Sequence, residues 1–303
     1  MTKPDLYLVI TIDTEADHDS RWFKSRPLTF KAVTEAIPDA IAPLFRRYGA
    51  VGTYMLSVEV LEDDGAVKMI KSLEGPHELG SHLHPDYIAP DKKYSEYGGT
   101  YATEFSNNSP PEIEREKLRS ITDLFRERIG YPPRVYRGGK FGFGRKTAEA
   151  LMDLGYTVDT SVTPRVSWRA IGGPDFRACA DQPYFIKSAD AGKRLLEVPV
   201  SIAYLNGIDR IFNRPAWLRP SFGELKRMKA LIDNFLERYK KERSIVLNMM
   251  FHNVEFYPNA SPYTKNRDDC ARLLLRLEET IKYCKAIGVK FVKLSEINDI
   301  FKD

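Results

Sequence analysis

Three of the five histidines of this chain lie close together in HELGSHLHP, residues 77–85. His82 and His84 are two residues apart, so both imidazoles face the same side if this segment is a β-strand. Two imidazoles that converge from one strand end suit a borderline divalent metal such as zinc. The alternative is a polar surface turn whose histidines bond to backbone groups, and we prefer that explanation for His77. The pair alone leaves both alternatives open.

Carboxylates follow the first apolar segment of the chain, in the motif TIDTEAD. Asp13 and Glu15 are two residues apart and can face the same side of a strand, whereas Thr14 points away. A metal-dependent hydrolase needs one carboxylate as a ligand and another to take a proton from water. A solvated turn or a helix cap is the alternative, and we prefer it for Asp17, His18 and Asp19. For Asp13, directly after the apolar strand, the sequence favours catalysis.

Short β-type segments alternate with longer amphipathic segments along the chain. Strands are predicted at 6–12, 52–56, 78–82, 134–137, 157–160, 195–200, 244–251 and 290–294. Helices are predicted at 29–48, 65–73, 111–129, 147–154, 222–240 and 267–287. Such alternation indicates parallel βαβ units, and about eight strands favour a barrel. The sequence therefore predicts an α/β fold, a distorted (β/α)7–8 barrel that forms a single domain, 1–303.

The active sites of such barrels lie at the carboxyl ends of the strands. Polar residues that suit catalysis follow several predicted strands: Asp13, His82, Arg137, Asp159 and His252. Polar surface residues placed independently of one another would rarely fall at five separate strand ends. Taken singly, Arg137 could form a structural salt bridge and Asp159 could cap a turn.

The ordered motifs resemble those of polysaccharide deacetylases of the NodB-homology type, carbohydrate esterase family 4. The segments that carry the resemblance are TIDTE, HELGSHLHP, YRGGKFGFG, LGYTVDTSV and LNMMFHNVEF, in that order. They extend over nearly the whole chain, from Leu6 to about Leu294. HLHP and the NASPY segment resemble a noncanonical subgroup associated with the synthesis of bacterial surface polysaccharides. The resemblance implies the NodB barrel, a divalent metal and hydrolysis of an acetamide.

The resemblance also implies a ligand set. Glu15, His82 and His84 would hold the metal, most readily Zn²⁺, with an open position for water and substrate. The family has a second acidic residue where this chain has Thr14, so ligation passes to Glu15 or, as the alternative, to Asp13. The spacing between the histidines is also shorter than is usual in the family.

The remaining motifs imply the acid and base of the reaction. Asp13 would take the proton of the water, and Arg137 would hold Asp13 ionised. His252 would protonate the leaving amine. A carboxylate pairs with this histidine in many members of the family, and Asp159 is the candidate here.

Aromatic side chains near these motifs are candidates for substrate binding. They are Phe141, Phe143, Trp168 and Tyr263. An aromatic ring can form a platform for a sugar, and ordinary packing is the alternative for each of them.

Composition limits the partners and the location. The net charge of +4, from 46 basic and 42 acidic residues, is too small to indicate nucleic acid or a membrane surface. The three cysteines lack CxxC spacing and suit a reducing compartment. The first apolar segment is too short for a signal sequence, and none approaches the ~20 residues of a membrane span. We expect a cytoplasmic protein, and the sequence makes no prediction of its oligomeric state.

Three functions are compatible with these features. The first is a metal-dependent hydrolase that removes N-acetyl or O-acetyl groups from an amino sugar in a glycan or its precursor. The second is an allantoinase-like hydrolase of a ureide or cyclic imide, for which the altered first motif leaves room. The third is a carbohydrate-binding barrel without metal, and the presence of Asp13, the histidine pair, Arg137 and His252 argues against it.

Overall fold

The computed structural model describes residues 4–93, 105–188 and 192–301. Packing within the chain divides it into two compact units. The first unit comprises Met1–Thr53, Leu73–Glu78 and Val200–Lys293. The second comprises Tyr54–Ser72, Leu79–Pro199 and Leu294–Asp303. The single domain stays a prediction, since two compact units can belong to one domain.

The strands of the described residues form one large sheet and a separate hairpin. They are β1 (Asp5–Thr14), β2 (Gly52–Ser57), β3 (His77–Leu83), β4 (Val135–Gly138), β5 (Val158–Asp159), β6 (Tyr184–Lys187), β7 (Arg194–Glu197), β8 (Ile202–Ala203), β9 (Ala216–Trp217), β10 (Ser244–His252) and β11 (Lys290–Phe291). The sheet order is β10-β1-β2-β3-β4-β5-β7-β6, with β11 paired to β1, while β8 pairs with β9. All the predicted strands are present, and β6, β8 and β9 were missed because they are short and lack clear alternation.

The predicted helices are also present. The described helices are a π-helical segment (Ala32–Ile41) that continues into α1 (Ala42–Tyr48), then α2 (Val58–Glu62), α3 (Asp64–Lys71), α4 (Pro111–Ile129), α5 (Arg145–Asp153), α6 (Gly207–Ile211), α7 (Leu225–Arg238), α8 (Arg267–Ala286) and α9 (Leu294–Ile300). The π-helical segment contains Pro38, which cannot donate a backbone hydrogen bond, and Ala42 N–H donates to Ile37 O five residues earlier. Among the described residues, none of the helices is long and apolar enough to span a membrane.

In the first unit, β1 is parallel to both β10 and β11. Nearly every residue of β1 is buried, as expected for an inner strand that is covered on both faces. The register places Asp13 opposite His252, at the point where β1 and β10 end. The two strands therefore place Asp13 and His252 side by side at their carboxyl ends.

In the second unit, β3, β4, β5 and β7 are parallel, and β6 is antiparallel to β7. Gly80 permits the close approach of β3 to β4, because a Cβ atom there would lie 2.5 Å from Val135 Cγ2. The register pairs His82 with Arg137, and Asp159 with Glu197. Parallel strands joined by helices confirm the predicted α/β class.

Candidate active site

The ends of β1 and β10 bring Asp13, Glu15 and His252 together in the first unit. His252 Nε2 lies 3.5 Å from Asp13 Oδ2 and 4.0 Å from Glu15 Oε1. Each residue offers one ligand atom, and these atoms all lie within 4.8 Å of one another. Both carboxylates are buried. Such a His/Glu/Asp cluster can exchange a proton or contribute to a metal site.

Glu15 is fixed through its backbone and through its carboxylate. Asn253 Oδ1 accepts from Glu15 N–H, and Asn253 Nδ2 donates to Glu15 O, both at 2.9 Å. His18 Nε2 lies 3.3 Å and Lys24 Nζ lies 3.5 Å from Glu15 Oε2. The prediction of a solvated turn at His18 was wrong, because His18 and Lys24 form a β-bridge that buries both side chains beside Glu15.

The carboxylate beside His252 is Glu255, which corrects the assignment of Asp159 to that position. The chain after β10 forms a 3₁₀ turn, Asn253–Phe256, which returns Glu255 towards the strand end. Glu255 Oε1 accepts from His252 Nδ1–H at 3.0 Å and also binds Arg219 Nη2. Burial alone would raise the pKa of Glu255, but Arg219 and His252 hold that pKa below its ordinary value. The hydrogen bond leaves His252 Nε2 on the side of Asp13.

Asp159 instead forms part of a buried acid pair in the second unit. It accepts hydrogen bonds from Ser161 N–H at 2.9 Å and from the Ser161 hydroxyl at 2.8 Å. Glu197 is its register partner on β7, and both side chains are fully buried. Burial raises the pKa of both carboxyl groups, and the Asp159 charge raises the pKa of Glu197 further. Burial and the neighbouring Asp159 charge thus both favour the protonated form of Glu197.

We expect Glu197→Gln to reduce the pH dependence of stability. A carboxyl group with a higher pKa in the folded state binds an extra proton there, so the free energy of unfolding falls as pH rises from the ordinary value of 4.5 to the folded value. One such proton gives a slope of about 1.4 kcal/mol per pH unit. Glutamine has nearly the same shape but takes up no proton, so the slope should be smaller in the variant.

Urea unfolding at a series of pH values above about 5 measures the difference. The exposed Glu237→Gln is the matched control and should follow the parent protein. Equal slopes for Glu197→Gln and the parent would mean that folded Glu197 carries no extra proton.

His82 and His84 lie at the end of β3 in the second unit, with their Nε2 atoms 3.1 Å apart. His82 Nδ1 donates to Arg137 O at 3.0 Å, which leaves the lone pair of His82 on Nε2. At this distance the two Nε2 atoms can share a proton or bind one divalent metal. Gly139 is required here, because a Cβ atom would lie 2.8 Å from His84 Nδ1.

Two further predicted residues are anchored to the backbone. Arg137 is fully buried, and its Nε donates to Thr160 O at 3.0 Å. The predicted contact of Arg137 with Asp13 stays a prediction. Thr14 donates through Oγ1 to Ile12 O at 3.0 Å. It is thus committed to the backbone of its own strand, consistent with the prediction that it points away from the site.

The predicted aromatic residues separate into two groups. Phe141 stacks on Trp168 in the second unit, with ring centroids 5.6 Å apart. Phe141 and Phe143 are only 7% and 6% exposed, so packing accounts for Phe143 and most of Phe141. Trp168 is half-buried and anchored by a 2.9 Å bond from Nε1 to Thr163 Oγ1.

Tyr263 belongs to the surroundings of His252 in the first unit. Its ring lies 5.6 Å from that of Trp22, which in turn lies 5.0 Å from the His252 ring. The Phe222 ring centroid lies 5.7 Å from that of Tyr263. These rings form an aromatic wall beside the imidazole.

Sequence reasoning missed several members of the site: Glu255, Arg219, His18, Lys24 and Asn253. The spacing of Glu255 three residues after His252 was a usable signal, because a tight turn after a strand brings such residues together. Arg219 had no local signal, since it reaches Glu255 from a distant loop.

No protein-family model matches the sequence, and no curated protein matches it. Solved structures match the fold. A candidate polysaccharide deacetylase from Mycobacterium smegmatis aligns with a TM-score of 0.59 at 15% identity, over 99% of this chain and 92% of that one. A candidate polysaccharide deacetylase from Pseudomonas aeruginosa PAO1 gives 0.58 at 15% identity, over 97% and 89%. PuuE allantoinase gives 0.58 at 17% identity, over 97% and 89%.

These similarities confirm the fold that the ordered motifs predicted. The chain has the NodB-like deacetylase fold. At such low identity the similarity concerns the fold alone, and function has to be argued from the residues of the site.

Proposed function

We propose that this protein is a metal-dependent hydrolase that removes N-acetyl or O-acetyl groups from an amino sugar in a glycan or glycan precursor. The observation that carries the proposal is the pairing of Asp13 and His252 at the ends of adjacent strands, 3.5 Å apart. Glu255 orients His252 from behind, and Arg219 binds Glu255 in turn. A carboxylate and an oriented imidazole are the base and acid that amide hydrolysis needs.

The metal of this proposal is Zn²⁺, held by Glu15, His82 and His84. The Nε2 atoms of the histidine pair and the buried Glu15 carboxylate are ligand types that zinc prefers. When bound, the metal supplies Lewis acidity that polarises the substrate carbonyl and lowers the pKa of the attacking water.

The residues of the chain carry the proton transfers. Asp13 takes the proton of the attacking water as the carbonyl carbon becomes tetrahedral. Arg137 keeps Asp13 ionised by its permanent charge. His252 donates the proton of Nε2 to the leaving amine, while Glu255 and Arg219 hold the ring in place.

The substrate and the location belong to the same proposal. Trp168 and Tyr263 are only partly buried and would contact a sugar face. A carbohydrate is therefore the proposed partner. We place the reaction in the cytoplasm. A nucleotide-linked, lipid-linked or small glycoside then suits the enzyme better as a substrate than finished polymer.

Acetate release tests the proposal. The purified protein should release acetate from N-acetylated amino sugars, lose this activity to a chelator and recover it with Zn²⁺. Allantoin is the competing substrate, because an allantoinase has the same fold. Turnover of allantoin without acetate release would favour the second function. Glycan binding without metal or hydrolysis would favour the third.

We expect His252→Ala to retain the metal and lose turnover by roughly 10²–10⁴, the usual effect of removing a general acid. The reason is that His252 acts on the leaving group in this scheme and is not a ligand. Metal content and kcat measured on the same preparation check both parts. Loss of the metal in this variant would instead make His252 a ligand.

Glu255→Gln tests how His252 is positioned. The imidazole remains, but the carboxylate that accepts from His252 Nδ1–H and binds Arg219 becomes a neutral amide. We expect a smaller loss of kcat than in His252→Ala, with KM little changed, because the acid is present but less well oriented. An unchanged kcat would mean that Glu255 does not position His252.

A further inference from the structure

A short helical turn between β8 and β9 exposes three large apolar side chains. Ile208, Ile211 and Phe212 are 67%, 78% and 64% exposed, the highest values for large hydrophobic residues among 4–93, 105–188 and 192–301. Single exposed apolar residues are common on protein surfaces, whereas a cluster of them indicates a contact surface. Residues 206–214 are called the apolar turn below.

Polar contacts inside the apolar turn hold its backbone in place. Asn206 caps α6 by accepting from Asp209 N–H at 2.8 Å. Asp209 is buried, accepts from Leu205 N–H at 3.2 Å and pairs with Arg227 at 3.0 Å. Arg214 N–H donates to Asp209 O at 2.8 Å. These contacts fix the backbone of the segment, while its apolar side chains stay exposed.

The exposed charges of the apolar turn are cationic. Arg210 and Arg214 are exposed, whereas Asp209, the acidic residue of the segment, is buried and paired with Arg227. The Arg214 guanidinium lies 5.7 Å from the centroid of the Phe212 ring. Apolar side chains with arginines beside them match a surface that offers hydrocarbon below a layer of anionic phosphates.

We propose that the apolar turn docks this protein on an anionic membrane surface. Ile208, Ile211 and Phe212 insert between the lipid head groups, and Arg210 and Arg214 bind their phosphates. The docking is peripheral and does not depend on the reaction proposed above. The net charge of the whole chain does not indicate it, because acidic residues elsewhere offset this local cationic segment.

The size of the apolar turn favours a membrane over a second protein. A stable protein interface uses ~20–30 residues on each side. The apolar turn presents three large apolar side chains on one short helix, which is little for such an interface. Interfacial binding to a bilayer requires only a few inserted side chains together with nearby basic groups.

Vesicle flotation with the full chain tests the proposal. We expect binding to vesicles of phosphatidylcholine mixed with phosphatidylglycerol, and little binding to phosphatidylcholine alone. The triple variant Ile208→Ser/Ile211→Ser/Phe212→Ser should lower the partition coefficient by at least roughly tenfold, since it removes the inserting groups. Arg210→Gln/Arg214→Gln should remove the preference for anionic vesicles. The control Leu275→Ser, on α8 and 56% exposed, should bind as the parent does.

Circular dichroism and thermal unfolding establish that the variants fold, as expected for changes at exposed positions. If the triple variant does not fold, Ile211→Ser alone carries the test. Failure of the parent to bind anionic vesicles overturns the proposal, as does equal binding by the parent and the apolar variant. Equal binding to neutral and anionic vesicles overturns the part assigned to the arginines. The parent protein could instead form a dimer that does not bind vesicles and that the triple substitution dissociates. That result would assign the apolar turn to contact between two copies of the chain.

Discussion

His82→Ala should remove the metal and abolish hydrolysis. The Nε2 atoms of His82 and His84 are 3.1 Å apart, and loss of one imidazole leaves too few ligands at this strand end. The fold should persist, because β3 keeps its backbone pairing with β4 through Ser81, His82 and Leu83. Elemental analysis, circular dichroism and acetate release on one preparation measure the three expectations.

His77→Ala is the matched control for this experiment. His77 starts the same strand, and its Nδ1 lies 2.9 Å from Gly75 O, which suits a structural contact. This variant should keep both metal and activity. Full metal occupancy in His82→Ala would contradict the ligand assignment, even if activity were lost.

Asp13→Asn should abolish hydrolysis while the metal stays bound, because a neutral amide cannot accept the proton of the water. Glu15→Gln should lower the metal affinity, because an amide oxygen is a poorer zinc ligand than a carboxylate. The contacts of the two residues differ. Asp13 faces His252, while Glu15 is held by Asn253 through its backbone and by Lys24 through Oε2.

Metal titration of the two variants, followed by turnover at saturating metal, separates the assignments. Asp19→Asn, at a half-exposed site in the following turn, is the control and should behave as the parent does. If Asp13→Asn no longer binds the metal while Glu15→Gln still does, Asp13 is the ligand and Glu15 is not.

Much of the fold could be predicted because its signals are local. The apolar strand that ends in Asp13, the amphipathic helix Pro111–Ile129 and the glycine after it are all visible in the sequence. Gly130 has a φ of 102°, a conformation that glycine adopts at little cost. The predicted strand 290–294 is shorter in the structure, Lys290–Phe291, and Leu294 begins helix α9.

The candidate site could be predicted in part for the same reason. Asp13, the histidine pair, Arg137 and His252 all follow predicted strands, and position at a strand end can be recognised without tertiary contacts. The strand register then placed Asp13 and His252 opposite each other.

The partners that long-range packing brings in could not be predicted. Arg219 reaches Glu255 across 36 positions of the chain. Asp159 does cap the turn at Ser161, as its local sequence suggests, but its neighbour Glu197 comes from an adjacent strand 38 residues further along the chain.

Burial was the other property that only the tertiary structure decided. Phe143 and Phe212 both have polar residues near them in the sequence. Phe143 is nevertheless only 6% exposed, whereas Phe212 is 64% exposed. By itself, the sequence determined the order of the elements and the chemistry at the strand ends, because hydrophobic period and residue type are local. The tertiary structure decided which polar groups pair and which apolar groups meet solvent, because both depend on residues far away in the chain.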